Sequence, residues 1–190
     1  VENISVAEFV SRIDTSKDIQ CKRGNPYDCD MQRDVWRQRE KRFWRLLDDK
    51  AAPVPLYAGD VSTSLFGTDS AHSWNLNRLS SILSSVGKYY GGVTDSMCYV
   101  GQYRALFAAH VEDADLYSIN FLHTGQPKSW YSISPGQRSL FENLAAACFP
   151  YESNECPNFL RHKTKLFSKA FLEENGIKVH TVVQLPGEYV

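Results

Sequence analysis

The sequence lacks a long apolar run, an excess of charge of one sign and an internal repeat. Its apolar runs are shorter than the about 20 residues that a membrane-spanning helix needs. With 21 basic and 22 acidic residues, the formal net charge is −1, so no overall positive field draws the chain to nucleic acid or to a membrane surface. The absence of repeats and of low-complexity tracts excludes a repeat architecture.

Cysteine is sparse, and its number is odd. The five cysteines are scattered and do not follow the pattern of a disulfide framework: Cys21, Cys29, Cys98, Cys148 and Cys156. This usage favours a reducing compartment, the cytosol or the nucleus. The first residues have no basic stretch followed by an apolar one, so we expect no signal peptide there. A first residue of valine rather than methionine leads us to expect a processed, cut or partial chain.

The composition is that of a globular domain with a core rich in β structure. Hydrophobic residues make up 43%, charged residues 23% and aromatic residues 13%. Residues 31–50 are predicted to form a helix, with Trp36, Phe43 and Trp44 on one side and arginine and lysine around the rest. That basic face could meet phosphate or an acidic partner, although a solvated helix face is the simpler interpretation. A second helix is predicted over residues 73–86.

Strand patterns dominate the middle of the chain and return at its end. Alternating polarity and frequent Tyr, Val and Phe predict consecutive antiparallel strands over residues 97–110, 115–125 and 128–134. Two helices and a last strand are predicted to follow, over residues 134–150, 168–176 and 177–190. This order predicts a mainly β fold, a barrel or jelly roll flanked by helices.

The clearest chemical motif is a histidine and a glutamate separated by one residue, His110 and Glu112. On a strand these side chains point the same way, so an imidazole and a carboxylate converge on one point. With one more distant histidine they would form the facial triad that binds Fe(II) in non-haem oxygenases and leaves positions for a co-substrate and O₂. The pair alone is a weak signal, because it occurs by chance in many chains.

Two residues further along the chain strengthen the iron interpretation. Asn120 lies an even number of residues after Glu112, on the next predicted strand, and Lys128 follows the next turn. A lysine beside an iron site suits a dicarboxylate co-substrate, because its ammonium group pairs with the far carboxylate. Without that context, Lys128 would be interpreted as a solvated turn residue.

The stretch HVEDADLYSINFLHTGQPKSWYSISP, residues 110–135, resembles the catalytic core of the Jumonji C (JmjC) histone lysine demethylases. The similarity covers residues 53–190 and is nearest to the subfamily that acts on trimethyl-lysines of histone H3. It implies a double-stranded β-helix, the jelly-roll JmjC barrel, incomplete at its C-terminal end. The implied domains are an irregular segment with a basic amphipathic helix at residues 1–50 and a partial JmjC catalytic domain at residues 51–190.

The resemblance implies roles for individual residues. The iron ligands would be His110 and Glu112. The co-substrate would be 2-oxoglutarate, and Lys128 and the Tyr57 hydroxyl would bind its far carboxylate. Asn120 would hydrogen-bond near its iron-chelating end, and Trp130 would pack beneath it.

The resemblance also implies a site for the methylated histone tail. Gly92 and Tyr99 would help to form the polar cage around the methylated lysine. Two aspartates near the peptide groove and a lysine at the mouth of the active site would complete it: Asp60, Asp113 and Lys163. Met97 stands where the family usually has a second cage tyrosine, and it supplies neither a ring face nor a hydroxyl. The preferred methylation state is therefore open.

A structural zinc site is implied by Cys156 and His162. In this subfamily the two residues bind zinc together with a Cys-x-Cys pair located after the barrel, which here would lie beyond Val190. On their spacing alone, the two would be interpreted as a partly buried thiol and a surface histidine.

The last iron ligand is also expected shortly after Val190. The family places it after a strand that begins with GE(F/Y), and this chain ends with GEYV. His180 is the tempting alternative within the chain, and an ordinary strand histidine is the simpler interpretation of it. We therefore expect the chain alone neither to bind Fe(II) tightly nor to turn over substrate.

The implied activity is oxidative demethylation of the ninth or thirty-sixth lysine of histone H3, which depends on Fe(II) and 2-oxoglutarate and releases formaldehyde and succinate. The implied location is the nucleus, with the methylated histone H3 tail and nucleosomal chromatin as partners, no membrane, and no strong direct signal for nucleic acid. Two alternatives are open: a JmjC protein hydroxylase, which shares the iron and co-substrate residues, and a catalytically inactive chromatin-binding module.

Overall fold

The computed structural model describes residues 8, 29–47, 54–67 and 74–190. Of the segment predicted for residues 1–50, residues 1–7, 9–28 and 48–50 lie outside these ranges. The chain divides into two compact units: the first comprises residues 1–22 and 53–106, and the second comprises residues 23–52 and 107–190. Among the described residues, no helix is both long enough and apolar enough to span a membrane.

The first unit is built on a two-stranded antiparallel sheet. Strand β1 (Tyr57–Val61) pairs with β2 (Cys98–Gly101), and Tyr57 lies opposite Gly101. Glycine is needed at position 101, because a Cβ there would lie 2.8 Å from the Ala105 Cβ and 3.2 Å from the Tyr57 ring. This close approach lets the chain turn back directly after β2.

The prediction of a helix over residues 73–86 is wrong. Its place is taken by two short 3₁₀ turns, Leu76–Arg78 and Ile82–Val86. Asn75 is fully buried, and its side chain accepts a hydrogen bond from the Asn77 N–H and donates one to the Gly67 carbonyl, each at 2.9 Å. A side chain that bonds nearby backbone competes with helical hydrogen bonds, and the serines of this stretch share that tendency.

The second unit contains the longer of the two described sheets. Strands β3 (Lys128–Ile133) and β4 (Val179–Gln184) pair antiparallel over their full lengths, so that Lys128 lies opposite Gln184. The strand predicted over residues 128–134 is therefore confirmed. Its partner is distant in sequence rather than the neighbouring strand that alternation predicted.

The other predicted strands are shorter than expected. Residues 97–110 contribute only β2, and residues 115–125 contribute a single bridge. Left-handed backbone occurs at Arg104 (φ 77°) within the first range and at Asp115 (φ 53°) at the start of the second, and alternation of polarity does not reveal such turns. The described strands are antiparallel, as predicted, but they form two separate two-stranded sheets and do not close into a barrel.

The α-helices of the described part of the second unit are α1 (Cys29–Leu46), α2 (Arg138–Cys148), α3 (Pro150–Glu155) and α4 (Lys169–Glu174). The predicted start of α4 is confirmed, because the Ser168 side chain accepts a hydrogen bond from the Phe171 N–H at 3.2 Å. Helix α2 ends before Pro150, as predicted. Pro150 also begins α3, where the missing N–H of proline leaves no hydrogen bond unmade.

The core of the second unit lies between its sheet and its helices. Leu172, Ile177 and Val179 are buried, and Ile177 has no exposed surface. The side chains packed around them are Tyr131, Ile133, Phe141, Leu144, Phe167 and Phe171. Removing this apolar surface from water holds the β3–β4 sheet in place, and with it the position of Lys128 at the start of β3.

Helix α1 is joined to β3 by two indole groups. The Trp36 Nε1–H donates a hydrogen bond to the Ser129 Oγ, and the Trp44 Nε1–H donates one to the Tyr131 hydroxyl, each at 2.8 Å. The Trp44 and Tyr131 rings also meet edge to face, with centroids 5.7 Å apart. The apolar side predicted for this helix therefore faces the sheet.

Candidate active site

His110 and Glu112 lie side by side in the second unit, with the His110 Nε2 3.9 Å from the Glu112 Oε1. Neither residue is on a strand, contrary to the prediction. Glu112 has extended backbone (φ −67°, ψ 160°) directly before a 3₁₀ turn at Asp113–Asp115. The two side chains converge, as their i, i+2 spacing predicted, although neither residue lies in a sheet.

The His110 ring is oriented by the backbone. Its Nδ1 lies 2.7 Å from the Ala108 carbonyl oxygen. Because a carbonyl accepts hydrogen bonds and never donates them, this contact places a proton on Nδ1, and the neutral ring keeps its lone pair on Nε2, on the side of Glu112. Metal-binding histidines usually donate their other ring N–H in this way. The His110 nitrogen and the Glu112 oxygen therefore fit two ligand positions of Fe(II).

Within the part of the chain that the structure describes, no third His, Cys, Asp or Glu joins this pair to form a metal-binding group. His180 is exposed on β4, opposite Ser132. His123 packs edge-on against the Phe121 ring, with centroids 4.7 Å apart, and burial lowers its pKa. Neither histidine is therefore positioned as a further ligand of the pair.

Lys128 is a half-buried cation beside two aromatic rings. Its Nζ lies 4.8 Å from the centroid of the Trp130 ring and 5.5 Å from that of Phe107, a residue that the sequence analysis did not single out. The ammonium group donates a hydrogen bond to the Asn120 Oδ1 at 3.2 Å. Burial lowers the pKa of Lys128. Among the described residues no carboxylate forms an ion pair with Lys128. A bound anion would therefore interact favourably with its ammonium group.

Gln184 joins the residues around Lys128, and the sequence analysis did not identify it. It is fully buried. Its side-chain oxygen accepts a hydrogen bond from the Trp130 Nε1–H at 2.8 Å. Its amide nitrogen donates to the carbonyls of Asn120 and Glu188, at 3.1 and 2.9 Å. The available signal was an amide residue in the otherwise apolar run VVQL, where a buried polar group must find partners.

The segment that carries Asn120 is paired with the end of the chain. The Asn120 N–H donates to the Val190 carbonyl at 2.7 Å, and the Val190 N–H donates to the Asn120 carbonyl at 3.0 Å. Phe121 and Tyr189 form the bridge beside this pair. Together with Gln184, these bonds fix the backbone of Asn120 and direct its side chain to Lys128.

The first unit brings together three of the predicted site residues. The Tyr57 and Tyr99 rings stack with centroids 6.2 Å apart and planes 17° apart. The Tyr99 hydroxyl donates a hydrogen bond to the Asp60 Oδ1 at 2.7 Å. Burial, together with the nearby Tyr99 and Asp60, raises the pKa of Tyr57. The Tyr57 hydroxyl therefore keeps its proton at neutral pH and can donate it in a hydrogen bond.

Gly92 and Met97 are neighbours in the first unit. Gly92 has a left-handed φ of 76°, which favours glycine, and a Cβ there would lie 3.5 Å from the Met97 Cε. The predicted cage glycine therefore lies beside the flexible thioether of Met97, which occupies the position where the family usually has tyrosine.

The remaining predicted site residues lie in or near two 3₁₀ turns of the second unit, Asp113–Asp115 and Phe159–His162. The Asp113 Oδ1 accepts a hydrogen bond from the Arg161 Nη1 at 3.2 Å, and both side chains are exposed. Lys163 follows the Phe159–His162 turn with a left-handed φ of 54°. Cys156 is a half-buried free thiol directly after α3, and His162 is exposed. In the described residues these two do not belong to a group of three or more candidate metal ligands.

Comparison with known families identifies the class of this domain. Residues 97–190 match the family model for the "JmjC domain, hydroxylase". The matched stretch contains the His110–Glu112 pair and the residues around Lys128. The matched stretch therefore belongs to the JmjC domain family, and the resemblance seen in the sequence is confirmed.

Curated relatives extend the similarity upstream of the matched stretch. Over 155 residues, which are 80% of this chain, it is 40% identical to the probable lysine-specific demethylase 4F of Homo sapiens. Over the same share of the chain it is 41% identical to lysine-specific demethylase 4B of Mus musculus and 39% identical to lysine-specific demethylase 4D of Rattus norvegicus. The aligned parts are 24%, 14% and 30% of these relatives, so the chain spans less than a third of their length.

Replacing Gln184 with glutamate tests its part in the site. The variant loses two donated hydrogen bonds and brings a carboxylate against two carbonyl oxygens, so we expect the free energy of unfolding to fall by roughly 1–3 kcal/mol. Urea unfolding followed by tryptophan fluorescence measures this. The matched control is Gln38→Glu, on the exposed side of α1, which should change the value by less than about 0.5 kcal/mol. Equal losses in both variants would contradict the assignment.

The lowered pKa of Lys128 predicts a pH dependence of stability. The unfolded chain holds the Lys128 proton up to about pH 10.5. The folded chain releases it earlier, so between the two pKa values the unfolded state binds more protons and stability rises with pH. Lys128→Met should remove this rise in thermal unfolding curves recorded from neutral to alkaline pH. Lys178→Met, at an exposed lysine of the same unit, should leave the rise unchanged. A rise that persists in Lys128→Met would refute the assignment to Lys128.

Proposed function

We propose that the protein is an Fe(II)- and 2-oxoglutarate-dependent demethylase of methylated lysine on the histone H3 tail. The observation that carries the proposal is the oriented His110–Glu112 pair, within the same JmjC stretch as a half-buried Lys128 that has an amide rather than a carboxylate beside it. The names of the curated relatives support lysine demethylation as the reaction.

His110 and Glu112 are the proposed protein ligands of Fe(II). The hydrogen bond from Nδ1 to the Ala108 carbonyl keeps the ring from rotating and leaves Nε2 available. The bound metal, together with 2-oxoglutarate and O₂, would supply the oxidation of the N-methyl carbon, with release of formaldehyde and succinate. Because the described residues supply two ligands there, we expect the 190-residue chain by itself to hold Fe(II) weakly and not to turn over.

The cation of Lys128 is proposed to bind the far carboxylate of 2-oxoglutarate. Its lowered pKa reflects the cost of a half-buried charge, and an anion would offset that cost with a charge-assisted hydrogen bond. Asn120 already accepts a hydrogen bond from Lys128 and is proposed to lie at the iron-chelating end. Trp130, held by Gln184, is proposed to pack beneath the co-substrate. The protonated Tyr57 hydroxyl is the proposed second donor to the far carboxylate.

The histone tail is proposed to bind with its methylated lysine near Gly92 and Tyr99. Asp60, already hydrogen-bonded to the Tyr99 hydroxyl, is proposed to lie near the peptide groove. The same groove is proposed to include Asp113, with Lys163 at its mouth. The ninth or thirty-sixth lysine of histone H3 is the proposed target, with nucleosomal chromatin in the nucleus as the setting. Met97 beside Gly92 leaves the preferred methylation state open.

The domain arrangement and the zinc site are also proposals. We propose that residues 51–190 form part of a JmjC jelly roll and that residues 1–50, an irregular segment and a basic amphipathic helix, precede it in the chain. The antiparallel strands of both units support the jelly roll. Cys156 and His162 are proposed to contribute two ligands to a structural zinc site, which suits a thiol and an imidazole.

A second candidate function is hydroxylation of a protein side chain. It is favoured by the matched family model, whose description names a hydroxylase. A JmjC hydroxylase would use the same His110, Glu112 and Lys128, so these residues do not discriminate between the two reactions. A catalytically inactive chromatin-binding module is the third candidate, favoured by the two-ligand pair and by Met97.

Mass spectrometry of the product discriminates among these functions. We expect the full-length protein, given Fe(II), 2-oxoglutarate and a trimethylated histone H3 peptide, to remove the mass of one CH₂ unit and to release formaldehyde. Glu112→Ala should abolish the reaction, because it removes a proposed metal ligand. Glu174→Ala, an exposed glutamate in α4, is the matched control and should keep full activity.

Two outcomes would contradict the demethylase proposal. A product heavier by one oxygen, with no formaldehyde, would establish hydroxylation. Binding of the methylated peptide without any turnover would establish the inactive module.

A further inference from the structure

One side of helix α1 is fixed against the rest of the second unit. Trp36 and Trp44 donate hydrogen bonds to side chains of β3. Arg33 forms an ion pair with Glu188 at 2.6 Å and also donates to the Val183 carbonyl. At 3.6 residues per turn, positions 33, 36 and 44 fall within one half of the helix circumference. The opposite half is therefore turned away from the sheet.

Helix α1 also has a cationic exposed surface. Four exposed basic side chains lie on it, and we call them the basic strip: Arg37, Lys41, Arg42 and Arg45. Between residues 37 and 45 the sequence has one acidic residue, Glu40, and its side chain is half buried. Burial raises the pKa of Glu40, although the nearby Arg37 opposes this. The acid of this stretch is thus half buried, while the four side chains of the basic strip are exposed.

Repulsion between the like charges of the basic strip destabilises the isolated helix. Positions 37, 41 and 45 succeed one another at intervals of four residues, and like charges at that interval repel. The i, i+4 spacing puts the Lys41 and Arg45 side chains on the same side of the helix, and the Arg45 Nε–H donates to the Lys41 backbone carbonyl at 3.3 Å. A polyanion would relieve this repulsion along the whole strip at once, because releasing condensed counterions favours its binding.

The chemistry of the strip fits duplex DNA better than an acidic protein. Every exposed side chain between residues 37 and 45 is basic except Gln38, which carries an amide. Protein–protein interfaces are built around an apolar core, and no exposed side chain between residues 37 and 45 is apolar. Duplex DNA carries one charge per about 1.7 Å of its axis, so a row of cations about 12 Å long meets several phosphates.

We propose that the basic strip of α1 binds the phosphate backbone of double-stranded DNA, without reading its sequence. Phosphate contacts of this kind fix the position of a protein on a duplex and carry no sequence information. The whole chain has a net charge of −1, which conceals this local concentration of cations. The proposal stands apart from the demethylase function, because binding by α1 requires neither the metal ligands nor a co-substrate.

Fluorescence anisotropy with a short labelled DNA duplex, recorded over a series of salt concentrations, tests the proposal on the 190-residue chain. If four phosphates are contacted, the logarithm of the affinity should fall with the logarithm of the salt concentration with a slope of about −3.6. The variant Lys41→Gln/Arg45→Gln should flatten that slope by about 1.8 and weaken binding about tenfold at low salt. Glutamine is a good helix former, so α1 should be retained, and circular dichroism checks this.

Two controls separate the basic strip from bulk charge and from loss of the helix. Lys88→Gln/Lys178→Gln makes the same change in net charge at exposed lysines outside α1 and should leave binding within about twofold of the unaltered chain. The swap Lys41→Arg/Arg45→Lys keeps the charge and should keep the affinity.

Three results would overturn the proposal. One is the absence of DNA binding by the unaltered chain at low salt. Another is an equal loss of affinity in the variants inside and outside the strip. The last is displacement of the duplex by polyglutamate of equal charge at lower concentration than by unlabelled DNA, which would assign the strip to an acidic protein partner.

Discussion

A fully buried amide must find hydrogen-bond partners for its oxygen and its nitrogen. Gln184 is such an amide, and its hydrogen bonds determine how the residues around Lys128 are arranged. Gln184 bonds Trp130 on the paired strand and the carbonyls of Asn120 and Glu188 in two other segments. Leaving such a group unsatisfied costs about 1–3 kcal/mol, so the segments are held in one arrangement. The position of Asn120, which is not on a regular strand, therefore follows from the sheet beside it.

The candidate site combines two unlike environments. Lys128 stands at the end of a sheet, between aromatic rings, and its partly desolvated charge is stabilised by an amide and by the ring faces. His110 and Glu112 stand in irregular chain, where a single hydrogen bond to the Ala108 carbonyl orients the imidazole. The first environment suits an anion and the second a divalent metal. We propose that the two belong to one site, because an enzyme that uses a metal and a dicarboxylate together needs both.

The sequence indicated the family more clearly than the architecture. The resemblance of residues 110–135, which include His110, Glu112 and Lys128, indicated the JmjC family, and the family comparison confirmed it. Strand β3 and helix α1 followed from periodicity. The prediction of a helix over residues 73–86 was wrong because the buried Asn75 side chain bonds the local backbone. Hydrophobic periodicity does not indicate such hydrogen bonds. The amide in the apolar run VVQL indicated a buried polar group, but not its partners, because these depend on the pairing of β4 with a strand about 50 residues away.

Calorimetric titration of 2-oxoglutarate into the full-length protein loaded with Mn(II), a metal that suits the same ligands, tests the central claim most directly. The account predicts one binding site that requires the metal and that weakens about tenfold or more in Lys128→Met, because a charge-assisted hydrogen bond is lost. Lys178→Met should bind as the unaltered protein does. Binding that is unchanged in Lys128→Met, or that does not need the metal, would contradict the assignment of His110, Glu112 and Lys128 to one site.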